Sequence, residues 1–160
     1  MTNKMDFSRL MPMDQIIGED EKDTYLLRQM GAQAKEYLSS FEWCKSIEEG
    51  GLGWGVGGIA AVFLFRIIPA SSEIDDLLWV IIGDLPPAYL VTDESPTPLD
   101  ALGVYVNLMD EWVATVRAGE SIENCIPVNT LPTLENADTL EIRLSFLKQK
   151  VLTADGEAHS

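Results

Sequence analysis

Apolar residues run almost without interruption over positions 59–68 (Ile-Ala-Ala-Val-Phe-Leu-Phe-Arg-Ile-Ile) and again over 77–82 (Leu-Leu-Trp-Val-Ile-Ile). Val, Ile, Phe and Trp pack well over a pleated surface, and neither run alternates with polar residues, so both are expected as central strands covered on both faces. Between them stand Ser71, Ser72, Glu73, Asp75 and Asp76. That link is too short for a parallel crossover, which takes about a dozen residues or more, so an antiparallel hairpin is expected. Arg66 interrupts the first run. A buried guanidinium without a partner is costly, which places Arg66 at a strand end or against a carboxylate.

Upstream, Tyr25, Leu26, Met30, Ala34, Tyr37, Leu38 and Phe41 recur at helical spacing, with Gly31 the weak point. The acids of 19–23 suit the unsatisfied amides of a helix start at Asp20 or Glu21. Phe41, Trp43, Lys45 and Ile47 then have period-2 spacing, which favours a short third strand over one more helical turn, followed by a turn at 48–51. The glycine-rich stretch 50–58 is expected to twist, bulge or approach another backbone closely. Downstream, Pro86 and Pro87 cannot donate ladder hydrogen bonds, so the sheet should turn near Gly83 and resume as a short edge strand over 89–91.

A second helix, starting near Pro98 or Asp100 and ending at Gly119, carries the stripe Leu102, Tyr105, Val106, Met109, Trp112, Val113 and Val116. Thr133 caps a third, in which Leu134, Ala137, Leu140, Leu144, Leu147 and Val151 share a face. Positions 1–18 read as an N-terminal arm that docks apolar residues on the core, 19–153 as a single domain, and 154–160 as a frayed tail. The fold class expected is α+β: a small antiparallel sheet of three or four strands packed against an N-terminal helix and two C-terminal helices. A chain of 160 residues suffices for one substantial core.

Charge narrows the choice of partners. Lys and Arg number 11 against 26 Asp and Glu, a net charge of −15 that argues against nucleic-acid backbone and anionic membrane surfaces. No Lys or Arg occurs from Ile67 through Val116, where nine acids stand. A protein partner with a basic surface is therefore expected, and a homodimer is the other association considered. Cys44 and Cys125 form no CxxC pair. With no secretory leader, they are expected as reduced thiols in the cytoplasm. Arg66 cuts the longest apolar run short of a membrane-spanning length.

Candidate chemistry is sparse. Gly53, Gly55 and Gly58 satisfy Gly-x-Gly-x-x-Gly, but the run feeds a strand and not a helix, so dinucleotide binding is not expected. Asp75 and Asp76 are separated from Asp84 by the length of a strand, too far for one acid pair. Asp84 is read as a turn residue. Glu48-Glu49 and Asp93-Glu94 supply too few constrained oxygens for a hard cation, and because the single histidine, His159, stands in the tail, neither a histidine triad nor a multi-histidine metal site within one chain is expected. Neither cysteine has an adjacent base.

No catalytic residue, metal or cofactor is expected. Trp54, with four glycines within three positions, is the candidate aromatic anchor. With Glu73, Asp75, Asp76, Asp84, Tyr89, Asp93 and Glu94 it forms the expected partner-binding set. A small acidic chain of this kind is similar, at the level of class, to bacterial antitoxin and immunity proteins, which block a toxin by surface complementarity; the resemblance implies a stoichiometric inhibitor of a basic protein. The alternatives are a structural self-associating protein and, behind it, a small-ligand-binding protein or enzyme walled by the glycine run and residues 83–89.

Overall fold

The computed structural model describes residues 7–93, 95–128 and 130–159. The chain divides into two compact units, the first ending at Ala101 and the second beginning at Leu102. Among the described residues the composition is α+β, with three α-helices and one antiparallel sheet. Five strands follow one another in chain order across that sheet: β1 (Met11–Pro12), β2 (Cys44–Val56), β3 (Ala60–Pro69), β4 (Leu77–Gly83) and β5 (Ala88–Val91). The hairpin expected from the two apolar runs is β3–β4, with Ala60 opposite Gly83 and Arg66 opposite Leu77.

The expected count of three or four strands is corrected to five. The additional strand comes from the arm, where Met11 pairs with Leu52 and Pro12 with Gly51. The expected turn at 48–51 is also corrected, because β2 passes straight through the glycine-rich stretch to Val56. It does so irregularly: its pairing with β3 shifts register between Cys44 and Ser46, Ile47 and Glu49, and Leu52 and Trp54. Missing side chains admit neighbours at these positions. A Cβ on Gly50 would stand 2.5 Å from the buried Phe65 ring, and one on Gly55 would stand 2.7 Å from Leu27 of the first helix. Glycine is here the space that lets two layers approach.

That helix, α1 (Glu21–Ser39), begins at Asp20, whose carboxylate accepts from the Asp23 amide at 2.7 Å, an N-cap. Its buried positions Leu27, Met30, Ala34 and Leu38 join Phe63, Phe65, Ile67, Leu78 and Val80 of the sheet in one core. Residues Val62, Leu64, Leu77, Trp79 and Ile81, on the opposite face, are buried as well. The arm serves both faces. Leu10 lies against Gly51 on one, and Ile16 joins the α1 core on the other.

Asp23 fastens α1 to the sheet, since its carboxylate accepts from Glu19 N at 2.8 Å and from Gly57 N, in the β2–β3 turn, at 2.7 Å. Hydrogen bonds to a charged acceptor are among the stronger ones. Asp23→Ala is expected to cost about 1–2 kcal/mol, seen as a lower urea midpoint with an unchanged slope.

Arg66 lies inside β3, at the last position paired with β4, and takes the second of its two expected places, against carboxylates. It meets Asp76 at 3.4 Å and Glu49 at 3.8 Å, and its guanidinium lies 5.5 Å from the Phe7 ring centre.

The second unit contains most of α2 (Pro98–Arg117) and α3 (Leu134–His159). Asp110 meets Lys148 at 2.9 Å, while Arg117 donates to both Asp138 and Glu141 at 2.5 Å. Positions rising along α2 thus face positions falling along α3, so the helices run antiparallel. Hydrogen bonding from Arg117 holds the Glu141 carboxyl below its ordinary range and raises the guanidinium in return. Tyr105, Met109 and Trp112 are buried on α2, and Leu140, Leu144 and Leu147 on α3. Among the described residues no helix is long and apolar enough to cross a membrane.

Candidate functional site

An edge of the sheet borders an open concavity. β1 covers β2 only at Gly51 and Leu52. Pro12 then hands the chain to a short 3-10 turn, Met13–Gln15, which carries it across the edge toward α1. Among the described residues, positions 44–50 of β2 therefore have a strand partner, β3, on one side alone. An open groove of about 480 Å³ lies along this stretch. Residues 47–51 of β2 line it together with Phe7, Pro12, Met13 and Asp14 of the N-terminal segment and Lys35 of α1.

Among the described residues that line it, the carboxylates of Asp14, Glu48 and Glu49 stand against the ammonium of Lys35. Glu49 is shared with Arg66, and all three acids are exposed. No serine, cysteine or histidine among the described residues lines the groove. Among the described residues no group of three or more His, Cys, Asp or Glu is placed to hold a metal ion. The chemistry offered is acceptor-rich and apolar by turns, with strand backbone beside it.

The residues expected as the partner-binding set are divided by the sheet. Glu73, Asp75 and Asp76 lie in or beside the turn between β3 and β4. β5 runs back toward that end, pairing Val91 with Leu78, and Asp93 follows it there. Trp54 and Asp84 belong to the other end: Trp54 pairs with Val62, and the Asp84 amide donates to Ile59 O at 3.0 Å, next to the β2–β3 turn. Trp54 is a half-buried residue of β2. Glu94 lies outside the described residues.

Tyr89 stands apart from the acids in an aromatic group. Its ring centre is 5.1 Å from Phe41 and 5.0 Å from Trp43, which stack on each other at 4.9 Å, and Tyr37 meets Phe41 edge-on at 5.2 Å. Burial, with Tyr89 adding to it, pushes the Tyr37 phenol from its ordinary 10.0 up to about 12. Its neutral form is the one that folding favours. Stability from this source is complete below pH 10.0 and is lost as pH rises through about 12. A phenolate absorbance titration should show one tyrosine ionising last, and Tyr37→Phe should remove that step. Burial likewise raises the Cys44 thiol, which disfavours its nucleophilic thiolate.

Comparison with protein-family models, with curated proteins and with solved structures finds no match to this chain. The site must therefore be read from its own residues. Sequence reasoning weighed Glu48 and Glu49 only as cation ligands and passed over Asp14 and Lys35. The signal that joins them is the pairing of Met11 and Pro12 with the glycine run. Two strand residues leave no period in a sequence, so nothing local announces it.

Proposed function

We propose that this protein works by binding, without chemistry of its own: it holds a basic protein partner in a stoichiometric complex, in the manner of small acidic antitoxin and immunity proteins. The observation that carries this reading is the acidic groove along residues 47–50, set in a chain of net charge −15. Complementary charge steers encounter and suppresses wrong partners more than it adds affinity, so a strongly acidic binder is suited to fast, selective capture of a basic protein.

Affinity capture from source cells at low salt, followed by sedimentation of the purified complex, tests the reading. A basic protein in 1:1 ratio is expected, with association slowing as salt rises from about 50 to about 500 mM because screening shortens the reach of the charges. Recovery of no stable partner, or a complex whose formation ignores salt, counts against it.

A further inference from the structure

We propose that the groove takes an extended, lysine- or arginine-bearing segment of the partner protein, laid antiparallel along residues 46–50 of β2 as a continuation of β1. The proposal rests on the protein-binding reading above and adds to it the place and the mode.

The outer edge of β2 already accepts a strand. Met11 and Pro12 sit on it in antiparallel register with Leu52 and Gly51. The lane then stops for a local reason: proline has no N–H to donate, and the 3-10 turn at Met13–Gln15 takes the backbone off the edge. Beyond that point the described residues leave positions 46–50 without a second strand partner. A strand edge of this kind presents outward N–H and C=O groups, the template that strand addition uses. The groove adjoins that edge: residues 47–51 of β2 line it together with Pro12, Met13 and Asp14 of the arm.

The occupant's chemistry follows from the walls. Asp14, Glu48 and Glu49 favour cationic side chains, while Met13 and Ile47 offer an apolar seat between them. An alternating segment meets both, because successive side chains of a strand point to opposite faces. The segment is short: register shifts around Lys45 and Glu48 break the β2 ladder on either side of Ser46 and Ile47, and bulges limit how long an added strand stays in register. A second copy of this chain fits poorly, since each copy would bring a net charge of −15 to an acidic slot.

The test uses the full isotope-labelled chain and three short peptides: alternating lysine and valine, the same peptide N-methylated at alternate amides, and a version with glutamate for lysine. Amide shifts on titrating the first should concentrate at 46–50 and Lys35. N-methylation of the ladder-forming amides should weaken binding roughly tenfold or more, the loss of one to two hydrogen bonds, and the glutamate peptide should not bind. Asp14→Asn with Glu48→Gln, both at exposed positions, should weaken the lysine peptide about fivefold, and by less at high salt.

Absence of shifts at 46–50 with millimolar peptide, or equal binding of the N-methylated form, overturns strand addition. Shifts confined to 73–76 and 93 overturn it too, while leaving the protein-binding reading intact. Self-association of the free chain through 46–50 would replace the partner segment with a second copy and so also overturn it. If, in addition, no basic protein is captured from cells, both readings fall.

Discussion

Replacing Trp79 with alanine is expected to cost about 3–5 kcal/mol, the range for removing a large buried aromatic. Trp79 is 1% exposed and sits in the middle of β4, opposite Leu64 on one side and Leu90 on the other. Its indole N–H donates to Ser95 O at 2.6 Å, and Ser95 itself is 1% exposed. Truncation therefore leaves a cavity between strands and a buried carbonyl without its donor. Trp79→Phe separates the two, since it retains most of the apolar contact and loses the hydrogen bond; about 1–3 kcal/mol is expected from the orphaned carbonyl. Urea unfolding followed by circular dichroism measures both. Against the 5–15 kcal/mol or so that holds most domains together, the alanine variant is near the threshold of folding. A loss below about 1 kcal/mol would mean that Trp79 is not the anchor of the strand.

Gly83→Ala is the second large effect, at about 2–4 kcal/mol from backbone strain and overpacking together. Gly83 has φ +154, and a Cβ there would stand 2.2 Å from Ile59 O and 2.8 Å from Ala60 Cα. Neither neighbour can withdraw. Ile59 O accepts from the Asp84 amide at 3.0 Å, and Ala60 is the ladder partner of Gly83 itself. Gly103 is the control, a glycine inside α2 with nothing within 4 Å of its Cβ position. Gly103→Ala should stabilise by up to about 1 kcal/mol, because alanine gives up less backbone freedom in a helix. Equal and small effects at the two sites would show that the tight corner at Gly83 does not exist.

The β3–β4 hairpin was legible because both strands are apolar on both faces and the link between them is short and polar. Arg66 was legible from its cost, and the structure gives it two carboxylates. Helix α1 was legible from its period and the acids of its first turn. The glycine run resisted reading for a physical reason. Glycine has poor strand propensity, and what keeps 50–56 extended is supplied from outside: β3 pairs with it, while Phe65 and Leu27 fill the spaces where its side chains would be. None of those contacts is local. The candidate site was less legible still. Charge alone gathered Glu73, Asp75, Asp76, Asp84 and Asp93, whereas topology sends Asp84 to the opposite end of β4 from Asp76. The groove instead depends on where a proline and a 3-10 turn lift the arm off an edge.

Amide hydrogen exchange along β2, in the free chain and in the complex with its captured basic partner, tests the central claim most directly. Residues 46–50 should exchange faster than the enclosed β3 positions 61–65 in the free chain, and should become protected when the partner binds. Protection of 46–50 already in the free chain, or exchange there that the partner leaves unchanged, would contradict an open strand edge as the place where this protein meets another.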